Sequence, residues 1–327
     1  MNRMYADAMV FADLPGRDPV FCGVNPREDL ALGIITVAHP HLDASTTLNR
    51  VRSTKRVLLA QKQPIKVVES KKDLCGTGED DNLRVVMNLQ GCPADLRPND
   101  VRMLFEAGVR VMGLQYSGAG PFGGSSDAPN EPLTDKGRAM LDTFASVGMI
   151  LDLSHLGTAT VEGVLTHLSR RGGPRVMISH TGMSNQCNHP RNVNDVHMKE
   201  VANLGGIVGI YSLTFGLSPE GEGVHHMCHH LMCAINRIGA ENVCIGSDGW
   251  YRQVPVQEWK NFFLKFQAQM DPDGKLRSRF PDQPYAMNRP CRLLFIEEAL
   301  KSTSLIKREV RGVMGENLHR FLYNSLR

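Results

Sequence analysis

Short apolar runs recur along the chain, and most are separated by segments whose apolar residues fall at helical spacing. Eight of the runs are rich in β-branched and other apolar residues, as buried strands are. They span residues 8–13, 33–38, 84–90, 109–115, 149–154, 175–179, 206–213 and 243–247. Near-continuous apolar strands with helices between them predict a parallel sheet that is covered on both faces.

The segments between the strands carry helix start and stop signals. The candidate caps are Thr134, Thr158, and either Asn194 or Asp195, and the glycines that end these helices are Gly148, Gly172–Gly173 and Gly205–Gly206. Residues 214–224 and 251–290 are predicted loops or insertions, and residues from about 291 to 327 are a predicted helical tail.

Eight strands with intervening helices, in about 250 residues, predict an α/β fold of the (β/α)8 TIM barrel type. The alternative is an open doubly wound sheet, although no G-x-G-x-x-G fingerprint or P-loop follows an early strand. We expect a single domain over residues 1–327.

The amino-acid composition of the chain argues against some classes of function. The 327 residues are 42% hydrophobic and 22% charged, and 37 basic against 34 acidic residues give a net charge of +3. No basic stripe with interleaved aromatic residues points to nucleic acid. No apolar run is long enough to cross a membrane, and the N-terminus lacks the apolar region of a signal peptide. The eight scattered cysteines are typical of reduced thiols, so we expect a soluble cytoplasmic protein with no membrane partner.

Polar residues that can carry chemistry stand at the ends of the predicted strands, where a barrel of this kind places its active site. They are Gln90, His155, His180 and Asp248, with Tyr116 just past the fourth strand. Two imidazoles and a carboxylate at the mouth of one barrel suit a divalent metal ion such as zinc, which activates a bound water molecule. An aspartate can take the proton that this water loses. Alternatively, each histidine is a strand-end residue satisfied by backbone partners.

Two further segments raise competing possibilities. The sequence HHMCHHLMC (225–233) can align His226, His230 and Cys233 on one helix face, although an apolar stripe there favours an ordinary amphipathic helix. The loop NHPRNVNDV contains Arg191, which can hold a substrate carboxylate or form a surface salt bridge.

Longer motifs surround these candidates. Residues 131–155 read EPLTDKGRAMLDTFASVGMILDLSH, and VMISHTG, HPRNVNDV, LGGIVGI, NRIGAENVCIGSD and VMGENLHRFL follow along the chain. These motifs resemble the membrane (renal) dipeptidase family, peptidase family M19, whose members are metal-dependent hydrolases with an amidohydrolase-type barrel. The densest stretch follows the family's G-L-T-x-x-G and N-x-x-G-M-x-x-D-L-S-H patterns. The clear part covers roughly residues 80–250 and the last twenty residues.

The resemblance implies a site. The family builds a two-zinc centre from an early His-x-Asp, a bridging glutamate and two Ser-His histidines, and these last two match His155 and His180. The arginine of its R-N-x-x-D motif, which holds the substrate carboxylate, matches Arg191. The catalytic aspartate of its G-S-D motif matches Asp248.

The chain departs from the family at the other positions. The family's opening pattern, laid over residues 6–16, puts Leu14 and Gly16 at the histidine and aspartate positions. A shift of three residues puts Phe11 and Asp13 there instead. The bridging glutamate becomes Gln90, and a histidine that helps to hold the substrate becomes Tyr116, so the bridge has lost its charge.

Charge therefore limits the number of metal ions. Two divalent ions ~3.5 Å apart repel by roughly 20 kcal/mol at an effective dielectric constant of ~20, and a neutral carboxamide does not offset this as a carboxylate does. We expect one zinc ion on His155 and His180, with Asp248 or Gln90 as candidates for a third ligand.

The resemblance then implies a single-metal hydrolase of an amide or peptide bond in a small carboxylate-bearing substrate, such as a dipeptide. In this interpretation Asp248 moves the proton, Arg191 grips the carboxylate, Tyr116 donates to the developing oxyanion, and Gln90 lines the substrate pocket. The alternative is a metal-free barrel that binds a small ligand without turnover. The resemblance also implies a homodimer.

Overall fold

The computed structural model describes residues 4–11, 21, 24–218, 223–261, 268 and 287–327. The strands are β1 (Ala6–Val10), β2 (Leu32–Thr36), β3 (Ile65–Val67), β4 (Leu83–Leu89), β5 (Val109–Gly113), β6 (Ala119–Gly120), β7 (Gly123–Gly124), β8 (Ile150–Asp152), β9 (Val176–Thr181), β10 (Ile207–Ile210) and β11 (Val243–Ile245). The helices are α1 (Ala44–Leu59), α2 (Pro98–Glu106), α3 (Asp135–Val147), α4 (Thr158–Arg171), α5 (Asp195–Asn203), α6 (Thr214–Leu217), α7 (Val224–Ile238), α8 (Arg292–Lys301), α9 (Lys307–Arg311) and α10 (Asn317–Ser325).

Eight parallel strands form the barrel, in the order β1-β2-β4-β5-β8-β9-β10-β11. The short β3 pairs with the start of β4, and β6 and β7 form a small antiparallel hairpin. The ring closes between its two ends, because the Asp248 N–H donates to the Met9 carbonyl at 2.8 Å and the Phe11 N–H donates to the Gly249 carbonyl at 3.1 Å. This closure confirms the predicted (β/α)8 TIM barrel and excludes the open doubly wound sheet.

Each of the eight predicted strands is present, with ends that differ by a few residues. The largest difference is in the first strand, which was predicted over residues 8–13 and spans Ala6–Val10. Residues 12 and 13 lie outside the described part of the chain.

The helix caps are mostly as predicted. The Thr134 hydroxyl accepts from the Gly137 N–H at 3.0 Å, and the Asn194 side chain accepts from the His197 N–H at 2.8 Å. The prediction for Thr158 was wrong, because Gly157 is the cap and Thr158 is the first helical residue. The C-caps Gly148 (φ 88°) and Gly172 (φ 69°) have the positive φ that glycine tolerates best.

The two predicted loop segments contain helical structure. The four-residue α6 lies within residues 214–224, and residues 256–261 are helical within 251–290. Residues 219–222, 262–267 and 269–286 lie outside the described residues. The predicted helical tail is confirmed as α8, α9 and α10, with a π-helical turn at Gly312–Glu316.

The barrel encloses a layer of apolar side chains that the tail covers from below. Strand residues such as Ala6, Leu32 and Ile150 form one buried cluster with Leu318 and Leu322 of α10. Because these strand residues lie toward the amino-terminal ends of their strands, the tail covers the bottom of the barrel and leaves the carboxyl-terminal mouth free. Within the described ranges, no helix combines the length and apolar character needed to cross a membrane.

Candidate active site

Two histidines meet at the carboxyl ends of neighbouring strands. His155 follows β8 and His180 lies in β9, and their Nε2 atoms are 3.0 Å apart. His180 is fully buried and His155 nearly so. Two nitrogen ligands of one tetrahedral zinc ion stand about 3.4 Å apart at normal zinc–nitrogen distances, so the pair is spaced closely enough to share one ion.

Serine and aspartate side chains support this histidine pair through hydrogen bonds. The Asp152 carboxylate accepts from the Ser179 hydroxyl at 2.5 Å and from the Ser179 backbone N–H at 3.0 Å. Ser179 Oγ lies 2.7 Å from His180 Nδ1, and the His180 backbone N–H donates to Ser154 Oγ at 3.1 Å. The two Ser-His pairs therefore lie in one hydrogen-bonded wall.

Arg191 reaches the same point from the loop after β9. Its Nη2 donates to His180 Nε2 at 2.9 Å, so the expected alternative, a surface salt bridge, is not what the structure places there. Burial, followed by the positive charge of Arg191, holds the pKa of His155 and of His180 well below the ordinary value. Both imidazoles are therefore neutral at neutral pH, the form that binds metal ions.

Tyr116 lies against His155. Its ring stacks on His155 with 4.2 Å between ring centroids. Burial and the nearby charge of Asp248 raise the pKa of the Tyr116 hydroxyl, so the phenol keeps its proton and can donate a hydrogen bond.

Asp248 lies just past β11, which is two strands along the ring from β9. Burial raises the pKa of its carboxyl to about 6, and the opposing effect of Arg191 is smaller. A carboxyl that titrates this close to neutral pH can both take up and release a proton under physiological conditions.

The first strand presents apolar side chains to the site. The Gln90 amide donates to Thr36 Oγ1 at 2.8 Å and contacts the Met9 sulfur at 3.4 Å. Phe11, two residues on, packs against Trp250 with ring centroids 4.5 Å apart. Met9 is therefore the first-strand residue that contacts Gln90. Asp13, Leu14 and Gly16 lie outside the described residues.

The competing histidine-rich segment is the predicted amphipathic helix, α7. His230 is buried and satisfied, since its Nδ1 accepts from the Met183 N–H at 3.0 Å and its Nε2 lies 3.0 Å from the Leu217 carbonyl. His229 Nε2 lies 2.7 Å from the Gln186 side chain. These contacts are structural and do not assemble a metal site.

The described residues offer two neutral nitrogen donors at one point of the barrel mouth. In the part of the chain that the structure describes, no group of three or more His, Cys, Asp or Glu side chains can hold a metal ion, so Asp248 does not complete a three-ligand set with the histidines. The two neutral imidazoles are ligands that zinc prefers.

Several residues that build the site were not singled out from the sequence. Asp152 and Ser179 support His180, and His41, just past β2, lies with its ring centroid 6.1 Å from that of Tyr116. The position of His41 after an apolar strand gave the same signal as the two Ser-His pairs. The roles of Asp152 and Ser179 needed the spatial arrangement of two strands.

Comparison with known proteins identifies the family. A family model described as membrane dipeptidase, peptidase family M19, matches residues 21–262. The dipeptidase aclJ of Aspergillus oryzae is 32% identical over 155 residues, which are 45% of this chain and 36% of that protein. The dipeptidase verJ of Clonostachys rogersoniana is 29% identical over 161 residues, which are 46% and 39%. The matched region thus spans about two fifths of the length of these curated relatives.

Solved structures support the fold. An amidohydrolase from Pseudomonas aeruginosa has a TM-score of 0.78 and 20% identity, covering 99% of this chain and 97% of its own. A metallo peptidase from Rhodobacter sphaeroides, solved with a phosphinate mimic of the dipeptide L-Ala-D-Ala, has a TM-score of 0.72 and 16% identity, covering 98% and 99%. Because the family model covers most of its length, the chain belongs to the membrane dipeptidase family, peptidase family M19.

Proposed function

We propose that the chain is a hydrolase of an amide or peptide bond in a small carboxylate-bearing substrate, and that it works with a single metal ion. The observation that carries this proposal is the convergence of His155 Nε2 and His180 Nε2, 3.0 Å apart, at the barrel mouth. Membership of a dipeptidase family supports the reaction class.

The two imidazoles would hold the ion, which we take to be zinc because zinc prefers imidazole nitrogen, at the mouth of the barrel. When bound there, a divalent ion would supply Lewis acidity to the scissile carbonyl. Arg191 must then leave His180, because its Nη2 occupies the lone pair that the ion needs.

A substrate carboxylate gives Arg191 a better partner. A guanidinium binds a carboxylate through two parallel hydrogen bonds, which are stronger than a single bond to a neutral imidazole. Substrate binding would therefore draw Arg191 away from the histidines and fix one end of the substrate beside them.

The remaining residues handle the proton and the developing charge. Hydrolysis adds water across the C–N bond, with hydroxyl going to the carbon and hydrogen to the nitrogen. The Asp248 carboxylate would take the proton from water and pass it to the leaving amine. The Tyr116 hydroxyl, which keeps its proton, would donate to the carbonyl oxygen as negative charge develops. Gln90, held by Thr36, would accept from a substrate N–H through its side-chain oxygen.

Metal content tests the proposal first. The chain, purified without chelators, is expected to carry about one zinc ion, as measured by mass spectrometry, and His180→Ala is expected to lose it. His229→Ala is the matched control, because it removes an exposed histidine from α7. Two ions per chain would contradict the single-metal site, and zinc loss in His229→Ala would place the metal on α7.

A second candidate function is favoured by the hydrogen bond from Arg191 to His180. If this bond is permanent, the guanidinium takes the place of the ion, and the barrel binds a carboxylate-bearing ligand without turnover. Turnover of a dipeptide panel by the native chain and by His155→Ala separates the two functions. Equal background rates, together with no zinc uptake, would favour the binding barrel.

A single domain over residues 1–327, a homodimer and a cytoplasmic location are parts of the same proposal that rest on the sequence and the family resemblance.

A further inference from the structure

Asp152 is a buried carboxylate between β8 and β9. One of its oxygens, Oδ1, accepts from the backbone N–H groups of Ser154 and Ser179, both at 3.0 Å. The other, Oδ2, accepts from the Ser179 hydroxyl at 2.5 Å. The two oxygens therefore have different hydrogen-bond partners, and the backbone N–H groups fix which oxygen faces the Ser179 hydroxyl.

The positions of the protons follow from this arrangement. A carboxylate only accepts hydrogen bonds, so the single hydroxyl proton of Ser179 points to Asp152. Ser179 Oγ can then only accept from its remaining neighbours, Ser154 Oγ at 3.1 Å and His180 Nδ1 at 2.7 Å. A neutral imidazole carries one proton, so with Nδ1 protonated the Nε2 atom of His180 keeps its lone pair.

We propose that Asp152 and Ser179 are positioning residues that hold His180 in the tautomer whose Nε2 lone pair faces the site. The inference rests on the proposed function only in that Nε2 is the atom that would bind the ion. The lone pair is already in use, since Arg191 donates to it at 2.9 Å.

The structure predicts that Asp152→Asn reverses the direction of the hydrogen bonds that run from residue 152 through Ser179 to His180. The side-chain oxygen of the asparagine must stay on the two backbone N–H groups, so its NH2 group faces Ser179 Oγ. Ser179 then accepts from the asparagine and donates its own proton to His180 Nδ1. The imidazole proton moves to Nε2, where it blocks both Arg191 and a metal ion.

Side-chain nitrogen NMR of the metal-free chain, labelled with 15N-histidine, reads this tautomer directly. The His180 signals are assigned by their absence in His180→Ala. We expect Nδ1 to be protonated in the native chain and Nε2 in Asp152→Asn. Zinc affinity, measured by competition with a chelating dye, is expected to fall by about 10–100-fold in Asp152→Asn.

Two serine variants form a matched pair and keep the test decisive if Asp152→Asn does not fold. Ser179→Ala removes the acceptor of Nδ1, so the Nε2-protonated fraction of His180 is expected to rise, although Arg191 still donates to Nε2 and limits the change. Ser154→Ala removes a hydroxyl that contacts Ser179 Oγ at 3.1 Å but lies outside the path to Nδ1, so the native tautomer should persist. A native chain protonated at Nε2, or an unchanged tautomer in both Asp152→Asn and Ser179→Ala, would overturn the inference. Because the tautomer is measured without metal or substrate, a failure of this inference can be distinguished from a failure of the hydrolase proposal.

Discussion

Two side chains of the site stand on strained backbone. His155 and Asp248 have φ angles of 71° and 51°, and they are the non-glycine residues with positive φ in the part of the chain that the structure describes. A left-handed conformation costs an L residue roughly 1–2 kcal/mol. Each comes directly after a serine past the end of a barrel strand. The strain is therefore concentrated at the residues to which we assign chemistry, as is common at functional sites.

Asp248→Asn is expected to stabilise the chain at pH 8 while reducing turnover. Burial raises the pKa of Asp248 from 3.8 to about 6, so the folded protein holds this proton more tightly than the unfolded chain does. Above pH 6 the folded state must keep an ionised carboxylate in an unfavourable setting, at a cost of as much as about 3 kcal/mol. This cost shrinks as the pH falls from 6 to 4. Denaturant unfolding at pH 8 and pH 4 measures it.

The same variant should lose turnover by about 10²–10⁴-fold, because the amide cannot take up a proton. Asp81→Asn, at an exposed position in an ion pair with Arg27, is the control and should change the free energy of unfolding by less than about 1 kcal/mol. A variant that is less stable than the native chain at pH 8 would contradict a raised pKa at Asp248.

Two pairs of neighbouring strands are joined at their ends by the same arrangement of an aspartate and a serine. Asp152 receives a backbone N–H and the hydroxyl of Ser179, and across the barrel Asp7 receives the backbone N–H of Ser247 at 2.8 Å together with its hydroxyl. The second arrangement is completed by α8, from which Arg292 donates to Ser247 Oγ at 2.8 Å. Each serine directly precedes a site residue, so these carboxylates set the backbone that presents His180 and Asp248.

Arg292→Ala is expected to destabilise the chain by about 3–5 kcal/mol. Asp7 is fully buried, and the charge of Arg292 opposes the effect of burial, which raises the pKa of Asp7. Removing the cation leaves a buried carboxylate without a nearby positive charge, since its remaining partners, including Ser247 and Tyr251, are neutral donors. Urea unfolding provides the measurement. Arg308→Ala, at an exposed position of α9, is the control and should fall within about 0.5 kcal/mol of the native chain.

The double variant Arg292→Ala with Asp7→Asn should recover part of this loss, since it removes both charges. A single variant no less stable than Arg308→Ala would contradict the stabilisation of the Asp7 carboxylate by Arg292.

The sequence predicted the strands, the helix ends with side-chain caps, and the residues at the barrel mouth. Parallel strands bring their carboxyl ends together whatever the length of chain between them, so the sequence alone is enough to group strand-end residues. His155, His180 and Asp248 are predicted in this way, and Arg191 joined them through the family motif.

Residues whose roles depend on partners from other elements could not be predicted. Met9 beside Gln90 was missed because the contact joins two strands, and the apolar pattern of one strand does not reveal its neighbour's side chains. Arg292 reads as an ordinary helical arginine, although it meets Ser247 from 45 positions along the chain. Asp152 lies inside an apolar run, where only the neighbouring strand reveals its partner.

At the scale of the whole molecule, the two ends of the barrel are built differently. The mouth collects polar residues from loops, whereas the bottom is covered by the tail. Asn317 donates to the carbonyls of Ala240 and Val243 at 2.7 and 2.8 Å, which fixes the start of α10 beneath β11. Gly315 lies so close to the N-terminal segment that a Cβ there would stand 2.1 Å from the Met4 carbonyl. The tail is therefore packed as part of the barrel core.

Leu322→Ala tests whether the tail stabilises the barrel without shaping the site. Leu322 is fully buried in the cluster at the barrel bottom, so the substitution is expected to lower the free energy of unfolding by about 2–5 kcal/mol. The His155–His180 pair lies at the other end of the strands, so zinc content and turnover well below the unfolding transition should match the native chain. Asn324→Ala, on the exposed face of the same helix, should change stability by less than about 0.5 kcal/mol. Loss of zinc from folded Leu322→Ala would mean that the barrel transmits changes at its bottom to the mouth, and that the two ends are not independent.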